Sequence, residues 1–346
     1  MASFYIYAPD IHEGDAVGNH SMAIYRLANR LGFDTKIFAN QFSGFNEIQR
    51  WDNLNNGNYT LDDILFINYS ICDPYIENAL NKKIKKIVYY HNITPPNILI
   101  NSNPRTADLC KKGIEDLILL EKADLVIVNS IKTKTDLSKH IKKNIHVVPP
   151  ISSDMLFYKS LNQNFSYAST GLTLNFTGRI EPNKNIEQLI EIMAHLVSFN
   201  SEYKLVIVGK AENLNYLDAL IRLADKNQIS QAIRFKGFIS LSDLIYEYNK
   251  SDVFITTSLH EGFCVPVHEM MSMGKASFVK KGSNAAEDFI YDSENTLLGE
   301  NNYENAVKIN RNLPLLLNNK EAIKRKSIEI LKLTSDNNWK DLLKKI

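Results

Sequence analysis

Short apolar runs alternate with segments of helical period along nearly the whole chain, and this alternation limits the fold more than any other feature of the sequence. In the first half the runs are Phe4–Ala8, Lys36–Ala39, Ile64–Asn68, Ile87–Tyr90, Leu125–Val128 and His146–Val148. Between them, Ile24, Leu27, Ala28 and Leu31 follow the i, i+3, i+4, i+7 spacing of a helix face, as do Cys110, Ile114, Leu117 and Ile118. The second half repeats the scheme, with strands expected at Leu172–Thr177, Leu205–Val208, Ile233–Lys236, Val253–Thr256 and Ala276–Val279. Helical stripes there run through Ile186, Leu189, Ile190 and Met193 and through Leu217, Leu220, Ile221 and Ala224, and Ser240 with Asp243 resembles a capping box. Strand and helix in strict alternation read as βα units on parallel sheets, the α/β class.

The chain has 346 residues, more than one hydrophobic core usually serves, so two domains are expected. Pro149-Pro150 ends a strand pattern and the polar Ser152-Ser153-Asp154 follows, which places the boundary near residues 150–168. The expected domains are therefore residues 1–155 and 165–330, followed by a helix-spaced tail with Trp339, Leu342, Leu343 and Ile346. No apolar run reaches the ~18 residues that a membrane span needs. Met1-Ala2-Ser3 leads straight into Phe4–Tyr7 without a basic leader, and the three scattered cysteines, Cys72, Cys110 and Cys264, fit neither a disulfide framework nor a zinc site. A reducing, cytoplasmic location is expected.

A net charge of +1 gives no reason to expect nucleic acid. The charge is uneven, however: residues 1–79 carry 4 basic and 10 acidic side chains, residues 80–143 carry 13 basic and 6 acidic. Clusters such as Lys82, Lys83, Lys85 and Lys86, or Lys139, Lys142 and Lys143, read either as solvated helix faces or as a surface for anionic lipid or a pyrophosphate-linked acceptor.

In open α/β sheets ligands bind beyond the carboxyl ends of strands, where the turn into a helix offers free amides. After Phe176-Thr177 comes Gly178-Arg179-Ile180-Glu181-Pro182-Asn183-Lys184. Gly178 permits close backbone approach, and Arg179 and Lys184 have the charge to grip a diphosphate. After Val253–Thr256, Glu261 and Glu269 stand eight positions apart across another strand-to-helix turn, with Gly262, Phe263, Cys264 and Val265 between them. Glu269, early in a helix, suits the two hydroxyls of a ribose, and Glu261 suits a sugar ring that becomes cationic as its bond to phosphate breaks. The loop amides of Gly262–Val265 suit sugar hydroxyls or phosphate oxygens.

This stretch resembles the Glu-x7-Glu signature of retaining glycosyltransferases of family 4, which have the GT-B fold of two Rossmann-like domains facing each other across a cleft. The resemblance extends over Phe176-Thr177-Gly178-Arg179, Asn183-Lys184, Leu205–Gly209, Phe235-Lys236-Gly237, Asp252-Val253-Phe254, Glu261-Gly262-Phe263, Pro266, Glu269 and Gly274, in the family's order and spacing. It implies donor-phosphate binding by Arg179 and Lys184, ribose binding by Glu269 and a sugar-facing carboxylate at Glu261. It also implies that residues 1–155 bind the acceptor, that residues 165–330 bind the nucleotide sugar, and that the tail 331–346 packs back on the first domain. His268 and Met270 depart from the family's apolar and small residues.

The first half offers Gly14-Asp15-Ala16-Val17-Gly18-Asn19 between a strand and a helix, where Gly14 and Gly18 read as a plain turn or as an approach to the donor phosphate or the acceptor. His91 follows a strand within Tyr89-Tyr90-His91-Asn92-Ile93-Thr94-Pro95-Pro96, and Asn129-Ser130 is a lesser candidate. Together with His260–Cys264, these segments resemble a bacterial subgroup of the family that builds surface polysaccharides, often with mannose or related hexoses. That implies a GDP-mannose or UDP-hexose donor and a glycan or lipid-linked acceptor; peripheral contact with the inner membrane surface rests on the second reading of the lysine clusters. No Asp-x-Asp pair occurs, so neither a metal nor any other cofactor is expected beyond the nucleotide sugar as co-substrate. A sugar-nucleotide epimerase of the same fold and a non-catalytic nucleotide-sugar-binding subunit are the competing readings.

Overall fold

The computed structural model describes residues 2–55, 59–151, 171–282, 290–333 and 336–344. The chain divides into two compact units, residues 1–154 with 331–346 and residues 155–330. Ser152-Ser153-Asp154 and most of the expected boundary lie outside the described residues.

The first unit is built on a seven-stranded sheet: β1 (Ser3–His12), β2 (Asp34–Ser43), β3 (Ile48–Arg50), β4 (Ile64–Tyr69), β5 (Lys85–Tyr90), β6 (Leu125–Val128) and β7 (Ile145–Val147), in the order β3-β2-β1-β4-β5-β6-β7. The pairings are parallel throughout. Because successive strand residues face opposite ways, β1 sends Phe4, Ile6 and Ala8 into one apolar layer and Tyr5 and Tyr7 into the other. Helix α1 (Ala16–Arg30) and Trp339 of the final helix Asp336–Lys344 cover the first of these layers. The Trp339 indole is fully buried and donates to the carbonyl of Pro149 at 2.9 Å.

The second unit carries β8 (Thr173–Thr177), β9 (Lys204–Val208), β10 (Ile233–Gly237), β11 (Val253–Thr256), β12 (Ser277–Lys280) and β13 (Leu297–Leu298), in the order β10-β9-β8-β11-β12-β13, again all parallel. The helices that position its site are α2 (Ile186–Phe199), α3 (Leu241–Lys250) and α4 (Val265–Ser272). Ser240 caps α3, accepting from the Asp243 amide at 3.1 Å and donating to the Asp243 carboxylate at 2.6 Å.

Strands β3 and β13 have no counterpart among the apolar runs of the sequence. Strand β3 buries only Ile48 of Ile48-Gln49-Arg50, and β13 has two residues, so their pairing partners define them. Of the basic clusters, Lys86, Lys122, Lys132 and Lys139 pair with nearby Asp124, Glu77 and Asp136, and Lys143 donates to the carbonyls of Glu121 and Ala123. Among the described residues no helix is long and apolar enough to cross a membrane.

Candidate active site

In each sheet the strand order reverses direction once, between β1 and β4 and between β8 and β11. Such switch points separate the loops that leave adjacent strands and open a crevice at their carboxyl ends. In the second unit the two loops at the switch point are the two that the sequence singles out. Leaving β8, the chain needs Gly209 beside it: a Cβ on Gly209 would stand 1.8 Å from the Gly178 carbonyl oxygen, and its φ of +151° lies where side chains are rarely tolerated. Gly178 then bonds back to Val208 and Ile180 to Lys210. A single turn at Pro182–Lys184 ends at Asn185, whose φ is +51°.

Two bonds clamp this turn to the loop after β11. The Leu259 amide donates to the Asn183 carbonyl at 2.9 Å, and the Thr257 hydroxyl donates to the Asn185 carbonyl at 2.8 Å. The clamp brings Lys184, 77 positions earlier in the chain, against Glu261: its Nζ lies 2.6 Å from Glu261 Oε1, with 14% and 16% of the two side chains exposed. Arg179 does not join them; its guanidinium is 61% exposed and lies 3.4 Å from Glu181. Nearby, Asn175 Nδ2 and Asn183 Oδ1 are buried without a hydrogen-bond partner.

Beyond Glu261 and the half-buried Gly262, Phe263 and Cys264 turn inward, and Cys264 takes a left-handed φ of +59° to start α4 with Pro266 in its first turn. Phe263 stacks on His268 at 4.2 Å between ring centroids and 12° between planes, and Met270 is fully buried in the core. The two departures from the family pattern thus serve packing, and burial pushes the His268 pKa down to about 3, leaving a neutral ring. Val265 stays half-buried at the helix start.

Glu269, one turn further along α4, is 7% exposed, and burial raises its carboxyl to about 7. Its Oε2 accepts from the Tyr248 hydroxyl at 2.7 Å. Tyr248 escapes a sequence reading because its place beside Leu244 and Ile245 is that of an ordinary core aromatic.

In the first unit, Gly14 has φ +81°, and Asp15 caps α1 by accepting from the amides of Val17 and Gly18. Gly18 is a packing glycine: a Cβ there would lie 2.1 Å from the His12 carbonyl oxygen. His91 Nε2 is 2.8 Å from Asn68 Oδ1, while Asn68 Nδ2 donates to Ser21 at 3.0 Å. That chain of donors places the His91 proton on Nε2 and leaves Nδ1 as an acceptor. Burial pushes the His91 pKa down to about 3, so the ring is neutral. Asn129 Nδ2 donates to the His91 carbonyl at 3.0 Å, and Ser130 caps the short helix Ile131–Leu137.

Comparison with known proteins bears on the fold and on the second unit. Residues 160–330 match the family model for glycosyl transferases group 1. The serotype-specific mannosyltransferase WbdA of Escherichia coli is 38% identical over 107 residues, which span 30% of this chain and 13% of that protein. The O-antigen chain mannosyltransferase B of Escherichia coli is 31% identical over 113 residues, 32% of this chain and 29% of that protein. The chain thus spans well under half the length of either relative. Among solved structures, Anabaena HepE in complex with UDP superposes with a TM-score of 0.73 at 15% identity, over 99% of this chain and 100% of that one. The shared fold is GT-B, with two Rossmann-like units. Lys184, Glu261 and Glu269 all fall inside the segment, residues 160–330, that matches the glycosyl transferases group 1 model.

Proposed function

We propose that the chain transfers a hexose from a nucleoside diphosphate sugar to a hydroxyl of a glycan or lipid-linked acceptor, with retention of anomeric configuration, in the assembly of a bacterial surface polysaccharide. The observation that carries this reading is the Lys184–Glu261 pair at the β8/β11 switch point, with Glu269 one helix turn behind it. Lys184 is the cation for the donor diphosphate, and Arg179, exposed at the same strand end, is the second. Neutralising the leaving group with side chains is consistent with transfer that needs no metal.

Glu261 holds the ammonium of Lys184. When a diphosphate takes over that charge, the Glu261 carboxylate stands beside the sugar that is losing its bond to phosphate. Negative charge there favours the oxocarbenium-like transition state more than the neutral ground state, which is what accelerates the step. The acceptor oxygen attacks the face the diphosphate leaves, and its proton passes to a phosphate oxygen. Glu269 holds the ribose and the amides of Gly262–Val265 line the phosphate and sugar; within the first unit, neutral His91 offers Nδ1 to a hydroxyl of the acceptor. Gly14, at a φ of +81°, shapes the turn into α1, and Gly18 lets that helix start pack against His12. The mannosyltransferase relatives favour GDP-mannose among donors, and the UDP held by HepE keeps UDP-hexoses in contention.

A thermal-shift screen of GDP-mannose, UDP-glucose and UDP-N-acetylglucosamine identifies the donor, because a ligand specific to the folded state raises the melting temperature. With that donor, Lys184→Ala and Glu261→Ala are each expected to cut transfer by roughly 100-fold or more while the protein stays folded. Near-normal turnover in both sinks the assignment. Turnover of the donor with no acceptor present points to epimerisation instead.

A further inference from the structure

We propose that Tyr248 is a positioning residue for the donor's ribose: its buried hydroxyl holds Oε2 of Glu269, so that the carboxylate presents Oε1 to the vicinal diol at a fixed angle. The proposal rests on the donor-site reading above. Tyr248 is fully buried, its O–H···Oε2 distance is 2.7 Å, and burial holds its pKa well above the ordinary tyrosine value, so it remains a donor. A glutamate side chain has several rotatable bonds, and a carboxylate without such a partner must freeze them when a ligand arrives.

A second tie fixes the distance between the two helices. Lys275, just past α4, sends Nζ into the open carbonyl end of α3 and donates to Tyr248, Asn249 and Ser251. Asp252 follows directly and is itself locked to β8 through the Thr173 amide at 2.8 Å. Tyr248 and Glu269 are thus held from one side by Lys275 and from the other by their own hydrogen bond. A tyrosine that only filled the core would need no partner carboxylate on α4, and phenylalanine would serve as well.

The test is isothermal titration of UDP, GDP and their 2′-deoxy counterparts into the parent chain and into Tyr248→Phe. The parent is expected to bind the ribonucleotide of its preferred base at least ~10-fold more tightly than the deoxy form. In Tyr248→Phe the ribonucleotide weakens by ~5-fold or more and the deoxy form hardly changes, so the ratio collapses. Incorporation of 4-aminophenylalanine, which restores an N–H donor, is expected to bring the ratio back toward the parent value. If Tyr248→Phe does not fold, Tyr248→Met fills a similar volume without a donor and carries the same expectation. A variant that folds and keeps the parent's ratio overturns the proposal. Equal affinity of the parent for both forms overturns the ribose role of Glu269 itself, and the two failures are told apart by which protein shows them.

Discussion

Lys184 and Glu261 lie 2.6 Å apart and largely out of solvent, and that closeness makes them one unit. Removing either strands the other, because a buried charge without its partner keeps its desolvation cost. The double variant Lys184→Ala/Glu261→Ala is therefore expected to be no slower than the worse single variant, within about 3-fold, and more stable than the sum of the single losses predicts. Initial rates and urea titrations on all four proteins measure both. Glu269 carries a cost of another kind. Its carboxyl is raised to about 7 in the folded chain, so between the ordinary value of 4.5 and 7 the folded state holds more protons than the unfolded one, and stability falls as pH rises through that window. The charged form costs up to about 3 kcal/mol above it. Glu269→Gln should hence stabilise the protein at pH 8 and do little at pH 5, while weakening nucleotide binding. A Gln variant less stable than the parent at pH 8 contradicts the buried-charge account.

Elements place these side chains through backbone contacts that leave no room for a methyl group. Gly209→Ala puts Cβ on the Gly178 carbonyl at 1.8 Å, in a backbone conformation that side chains avoid. The expected loss is about 2–4 kcal/mol, with weaker nucleotide binding because the displaced loop carries Arg179 and Lys184. Gly237 is the control: its φ is +66°, but nothing lies within 4 Å of a Cβ, so Gly237→Ala should cost only ~1 kcal/mol and leave binding intact. Denaturant titration with parallel nucleotide titration separates the two. The switch point explains why one glycine touches function and the other does not: the β8 loop lies at the reversal of strand order, and the β10 loop lies at the sheet's edge.

At the scale of the whole chain, two units with separate cores are expected to unfold in separate transitions. Trp339 offers a handle on one of them. Its indole packs among His20, Phe66 and Tyr89 and donates to Pro149, all within the first unit. Trp339→Ala should lower the first unit's stability by about 3–5 kcal/mol and leave the second unit's transition in place. In calorimetry, a saturating nucleotide is then expected to raise only the unmoved transition. A variant in which both transitions drop together would show that the tryptophan stabilises the chain as a whole.

Residue order by itself determines the fold class and most of the candidate site. Alternation of apolar runs with helical stripes dictates parallel α/β units, because a strand apolar on both faces must be covered on both. Glu261, Glu269, Lys184 and Gly178 are visible for a local reason, since each sits in or just beyond a turn that follows an apolar run. The edge strands β3 and β13 are not legible, as a strand of two or three residues is defined by its neighbour's hydrogen bonds. Nor is the strand order, which rests on nonlocal pairing and alone shows that the β8 and β11 loops flank the switch point. Arg179 and Lys184 look equivalent in sequence, and only the Asn183–Leu259 and Asn185–Thr257 clamps decide that Lys184 meets Glu261 while Arg179 turns to Glu181. Tyr248 is hidden for the same reason. Local spacing tells which residues belong to the core, but whether a buried hydroxyl ends on a carboxylate is settled by where the fold brings Tyr248 of α3 to Glu269 of α4.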